Sequence, residues 1–162
     1  MIDLFTRRLG PIHTGWAIAA GWLGALAYLV EQSIDLAVFK NGSDDMKLLG
    51  MVVTKRPPLW QVLGYSVHFA FGSALAVVYA MTAGRWLLLA PWLSGLVFTQ
   101  FENLILGSLL LPAADRWHPA VRGGQIPPYL RPVPILQQIL RHAAYGAVLG
   151  WVYGEVGRKQ HR

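Results

Sequence analysis

Residues 57–84 read PPLWQVLGYSVHFAFGSALAVVYAMTAG, 28 positions without a formal charge between Arg56 and Arg85. A bilayer-crossing α-helix needs about 20 apolar residues, a few more when tilted. Three further stretches meet that length. His13 and Lys40 enclose 26 residues whose only charges are Glu31 and Asp35. Arg85 and Asp115 enclose 29 with only Glu102, and Arg131 and Glu155 enclose 23 with Arg141 and His142. The last is the weakest of the four. The expected fold is all-α, an integral membrane four-helix bundle in one domain.

Composition agrees. Charged residues make up 14% and hydrophobic ones 54% of the 162 positions, against about a quarter charged in soluble domains. Seven Trp and six Tyr suit helix ends at two membrane interfaces. The net charge of +6 comes from basic residues in ones and twos between apolar runs, not from a stripe interleaved with aromatics. No nucleic-acid partner is therefore expected, and the lipid bilayer is. The absence of cysteine removes disulfides, thiolate chemistry and Cys-based metal sites.

A tight turn around Thr82-Ala83-Gly84-Arg85 joins the second and third segments. Longer links run from Lys40 to Pro57 and from Pro112 to Arg131. The first holds Ser43-Asp44-Asp45, a helix N-cap signal, ahead of a short interfacial helix at Met46-Lys47-Leu48-Leu49. Four spans put both termini on the face opposite these links. Basic residues on the two faces nearly balance, and cytoplasmic termini are the expectation. Thr6-Arg7-Arg8-Leu9 resembles a twin-arginine signal with Ala25-Leu26-Ala27 as its cleavage site. Cleavage there would destroy the first span, so an uncleaved anchor is expected.

The chain resembles itself. At an offset of 74, His68-Phe-Ala-Phe-Gly72-Ser-Ala-Leu-Ala76-Val-Val-Tyr79-Ala80 falls on His142-Ala-Ala-Tyr-Gly146-Ala-Val-Leu-Gly150-Trp-Val-Tyr153-Gly154, identical at six of thirteen positions. Pro58 and Pro132 align as well. An offset of 71 lays Gly24 on Gly95 and Glu31 on Glu102. Two parallel two-helix repeats follow, about 14–83 and 84–157, related by a pseudo-two-fold axis along the membrane normal. Gly72, Ala76 and Tyr79, with Gly146, Gly150 and Tyr153, lie on one helical face each and are the expected packing residues. Such bare faces also suit self-association or docking in a larger membrane complex.

Measured from the flanking prolines and lysine at 1.5 Å per residue, Glu31, His68, Glu102 and His142 fall near one depth, about 13–15 Å from the loop face. Arg141 joins them, and Asp35 lies one turn nearer the loops. Ionisable groups so placed turn inward and pair. A Glu–His partnership within each repeat is expected, Glu31 with His68 and Glu102 with His142. Three readings compete for this polar layer: a structural lock between helices, a proton or ion relay, and ligation of a cofactor. The cofactor version is a haem b held between His68 and His142. A di-iron site lacks its usual Glu-x-x-His, and no metal is expected. No nucleotide-binding or hydrolase motif is present, so enzyme chemistry is not indicated.

The helix reading H-x-x-x-G-x-x-x-G-x-x-Y-G at His142 resembles one that recurs in the YagU-like group of small bacterial inner-membrane proteins. The copy at His68 departs from it with Ala76 and Ala80. The resemblance covers about a dozen residues per copy and implies an inner-membrane location, not an activity.

Overall fold

The computed structural model describes residues 12–39 and 42–159, with side chains to 154. The twin-arginine pattern lies outside the described residues. Among the described residues seven helices follow in order: α1 Thr14–Val38, α2 Asp45–Met51, α3 Leu59–Met81, α4 Ala83–Trp86, α5 Pro91–Trp117, α6 Pro119–Arg122 and α7 Pro132–Lys159. The described residues contain no strand. Three helical stretches, Thr14–Val38, Leu59–Trp86 and Pro91–Trp117, are long and apolar enough to cross a membrane.

Helix ends depart from the sequence reading in two places. The turn at Thr82 continues into α4, and α5 begins at Pro91, where a missing N–H costs nothing because first-turn donors have no intrahelical partner. α5 then runs through Pro112 to Trp117 instead of ending there. A proline so near a helix end removes one hydrogen bond and leaves the turns before it intact.

α1 packs against both α3 and α7, and α5 packs against α7. Glycines set close approaches in two pairs of long helices. A Cβ on Gly21 would lie 2.7 Å from both the Gly72 carbonyl oxygen and the Ala76 methyl. Gly72 in turn rests on Ala25. In the second pair Gly95 lies against Gly146 and Gly150, and Gly146 against Thr99. Every partner in the second set stands 74 positions after its counterpart in the first: Gly21 and Gly95, Ala25 and Thr99, Gly72 and Gly146, Ala76 and Gly150. The contact register of α1 and α5 is therefore 74, not 71, and Glu102 corresponds to Tyr28 rather than to Glu31. A slip of three residues is nearly one helical turn, so both registers present similar faces to a sequence comparison.

The Gly/Ala faces expected to serve self-association are thus occupied within the chain. Ala20, Ala25, Tyr28, Ala76, Tyr79, Tyr145 and Leu149 form the core between them. Tyr79 and Tyr153 meet edge-on at 6.0 Å, and Tyr79 also reaches Phe98 of α5. The Tyr145 hydroxyl donates to the Gly72 carbonyl at 2.6 Å, tying α7 to α3.

At the loop end a second cluster joins Met51, Ala120, Ile126 and Tyr129 with Leu48, Trp60 and Leu111. The N-cap of α2 is Asp44, whose carboxylate accepts from the Met46 and Lys47 amides at 3.1 Å each. α2 is not an isolated interfacial helix. Gly50 abuts the Trp60 carbonyl and Gly64 the Met46 carbonyl, so α2 lies directly on the start of α3.

Candidate functional site: a buried arginine cluster

Gln137, Gln138 and Arg141 occupy one face of α7, and each is buried. Arg141 is 0% exposed. Its Nε and Nη2 donate to the two Asp35 oxygens at 2.6 Å each, a bidentate pairing with α1. Nη1 donates to Asp45 Oδ2 at 2.5 Å and reaches Ser43 Oγ at 3.4 Å. Nη2 also donates to the Ser43 carbonyl at 2.8 Å. All five guanidinium N–H groups therefore have acceptors, which a charge removed from water requires.

The two aspartates are held as fully. Asp45 also accepts from the hydroxyls of Tyr28 at 2.6 Å and Tyr129 at 2.7 Å. Gln138 Nε2 donates to both Asp45 oxygens. Gln137 donates to Asp35 at 2.9 Å while its carbonyl oxygen accepts from the Ser43 amide and hydroxyl. Burial alone would raise the Asp45 carboxyl. The Arg141 guanidinium, with the Tyr28 and Tyr129 hydroxyls, outweighs that and holds it below its usual 3.8. Burial and then the Asp45 charge push the Tyr129 hydroxyl well above 10.0, so it remains a donor.

Next to this cluster lie the remaining expected residues. Glu31 stands 3.8 Å from Arg141 Nε, and its buried Oε2 has no hydrogen-bond donor. His142 Nε2 is 3.6 Å from Glu102 Oε2, which likewise has no donor. His142 Nδ1 bonds the Gln138 carbonyl at 2.8 Å. His68 does not pair with Glu31. Its Nε2 donates to the Ala25 carbonyl at 3.0 Å, because the close α1–α3 approach brings that carbonyl within reach. The Glu–His partnership thus forms in the second half only.

Tyr28 touches both imidazoles, with ring centroids 4.9 Å from His68 and 5.3 Å from His142. Bis-His haem ligation does not fit this arrangement. The His68 Nε2 that would bind iron donates to a backbone carbonyl, and a phenol ring contacts both imidazoles where a porphyrin would need space. Among the described residues no group of three or more His, Asp or Glu is placed to hold a metal ion.

Sequence reading assigned Glu31, His68, Glu102, Arg141 and His142 to one layer. The structure divides them: Glu31 stands beside the Arg141 cluster, Glu102 pairs with His142, and His68 bonds the Ala25 carbonyl, with Tyr28 touching all three groups. Asp45, Tyr28, Ser43, Gln137, Gln138 and Tyr129 were not anticipated. One signal was available: Gln137 and Gln138 precede Arg141 by four and three positions, on its own helical face.

No family model, curated protein or solved structure matches the chain. Its class rests on its own structure: an all-helical protein whose three long apolar helices are compatible with a small membrane protein.

Proposed function

We propose that the chain is a four-span membrane bundle of two parallel repeats that serves as a non-enzymatic subunit of a membrane assembly, its Arg141 cluster locking the loop-end cap to the spans. α7 supplies the fourth span. Its average hydropathy is lowered by Gln137, Gln138 and Arg141, all of which point inward. Its large outward side chains, Ile135, Leu136, Ile139, Leu140 and Trp151, are apolar. The recurrence of glycine contacts at 74 residues supports the repeat. The resemblance to the YagU-like group supports an inner-membrane location.

The observation that carries the lock is the full engagement of Arg141 by α1, α2 and the link between them. A guanidinium fixed by two carboxylates and a carbonyl orders four chain segments and leaves no donor for a passing ion. The relay reading is the second one, favoured by the donorless Oε2 atoms of Glu31, 3.8 Å from Arg141 Nε, and of Glu102, 3.6 Å from His142 Nε2. Proteoliposomes under an imposed pH gradient distinguish the two. The lock predicts no proton flux above that of empty vesicles, with Glu102→Gln and His142→Ala changing only stability. Flux that is lost in folded Glu102→Gln and His142→Ala variants would replace it with the relay.

A further inference from the structure

α5 is unevenly buried. Its buried residues, Ser94, Gly95 and Thr99, all lie in its first half. α1, by comparison, is buried along its whole length, from Ala17 to Asp35. Beyond Thr99 the α5 surface carries Phe101, Leu104, Leu109 and Leu110, each at least 60% exposed.

One side chain beside this surface, partly buried, does not suit lipid. Ser94, Thr99, Gln100 and Ser108 each donate to a backbone carbonyl, of Ala83, His142, Ile139 and Ile105 respectively. Asn103 is the remaining uncharged polar residue of α5, and among the described residues its amide has no hydrogen-bond partner. It adjoins Leu104, the central residue of the 27-residue helix, which is mid-bilayer for a spanning helix. An amide there has no water to bond and drives helix association. One turn on, a Cβ at Gly107 would meet only Asn103 and Leu111 of its own helix, so the space outside it is open to another backbone.

We propose that a second copy of the chain packs against the Asn103–Gly107 face of α5, with the two Asn103 amides hydrogen-bonded to each other. This rests on the membrane-spanning reading above. Two copies inserted in the same orientation carry Asn103 at the same depth. A two-fold axis along the membrane normal then sets amide against amide, each donating and accepting. A different protein would need its own polar group at that depth; the identical chain has one by construction.

The chain lacks cysteine, so single-cysteine variants report on this face without background. In lipid nanodiscs or native membranes, Leu110→Cys, two turns from Asn103, should crosslink to a dimer under mild oxidation. Leu23→Cys on α1 should not. Asn103→Leu should weaken self-association about tenfold and Asn103→Gln should largely preserve it. A protein that alkaline carbonate leaves in the membrane but that stays monomeric, or that crosslinks only to a different protein, overturns the dimer alone. A protein that carbonate extracts overturns the membrane reading and the dimer with it.

Discussion

Arg141 of α7 and Asp45 of α2 stand 96 positions apart in the chain and 2.5 Å apart in space, Nη1 to Oδ2. That pair, with Asp35 on the other side of the same guanidinium, turns a loop-end segment into part of the helical core. Burying an ion pair adds little net stability, yet removing one partner leaves the other charge without compensation.

Arg141→Met should therefore destabilise the folded protein by about 3–5 kcal/mol, since it leaves both Asp35 and Asp45 unpaired. Thermal unfolding in detergent measures the loss. Combining Arg141→Met with Asp35→Leu and Asp45→Leu should recover part of it. A single Arg141→Met that melts like the wild type would show that the cluster contributes nothing.

The glycine pairs should be far less tolerant than a glycine with open space around it. A side chain at Gly146 meets Thr99 and the Gly95 backbone, whereas one at Gly15 meets nothing within 4 Å. Gly146→Leu should cost roughly 1–3 kcal/mol through overpacking, and Gly15→Ala should be neutral. Parallel melts of the two variants compare them directly.

Acid should loosen the loop-end cap through His118. Its Nδ1 accepts from the Ala120 amide at 3.1 Å, an N-cap for α6. Burial and then nearby Lys55 lower its pKa below 6.5. The unfolded chain therefore takes up the proton first, and stability should fall as pH drops below 6.5 until the folded histidine also protonates. Asp45 acts lower on the scale. Its depressed carboxyl keeps contributing above 3.8, and the contribution is lost as pH falls through its folded value. His118→Asn retains a capping oxygen and should remove the first phase, seen in Trp fluorescence melts at about pH 7.5 and about pH 5.

The long apolar helices were legible in the sequence because a membrane-length run of uncharged residues has few other uses. Gly72, Gly146 and Gly150 were legible as packing positions for a similar reason: helical spacing fixes the face of a small residue. The choice between registers 71 and 74 was not legible, since only the contacts of Gly21 and Gly95 show which turn meets which. Asp45 was hidden because it sits in a link beside the true cap Asp44. Nothing local distinguishes a capping aspartate from one that folds inward to an arginine 96 residues later. Glu31 and His68 matched in depth, but depth does not fix direction around a helix, and the Ala25 carbonyl took the imidazole.

The fourth span is tested most directly by topology. A cysteine replacing Gly123 in the loop-end link and one appended after Arg162 flank α7, and the chain has no other thiol. With a membrane-impermeant maleimide on sealed vesicles of known orientation, the two positions should label from opposite sides. Labelling from the same side would place α7 along the surface and remove Arg141 from the membrane interior.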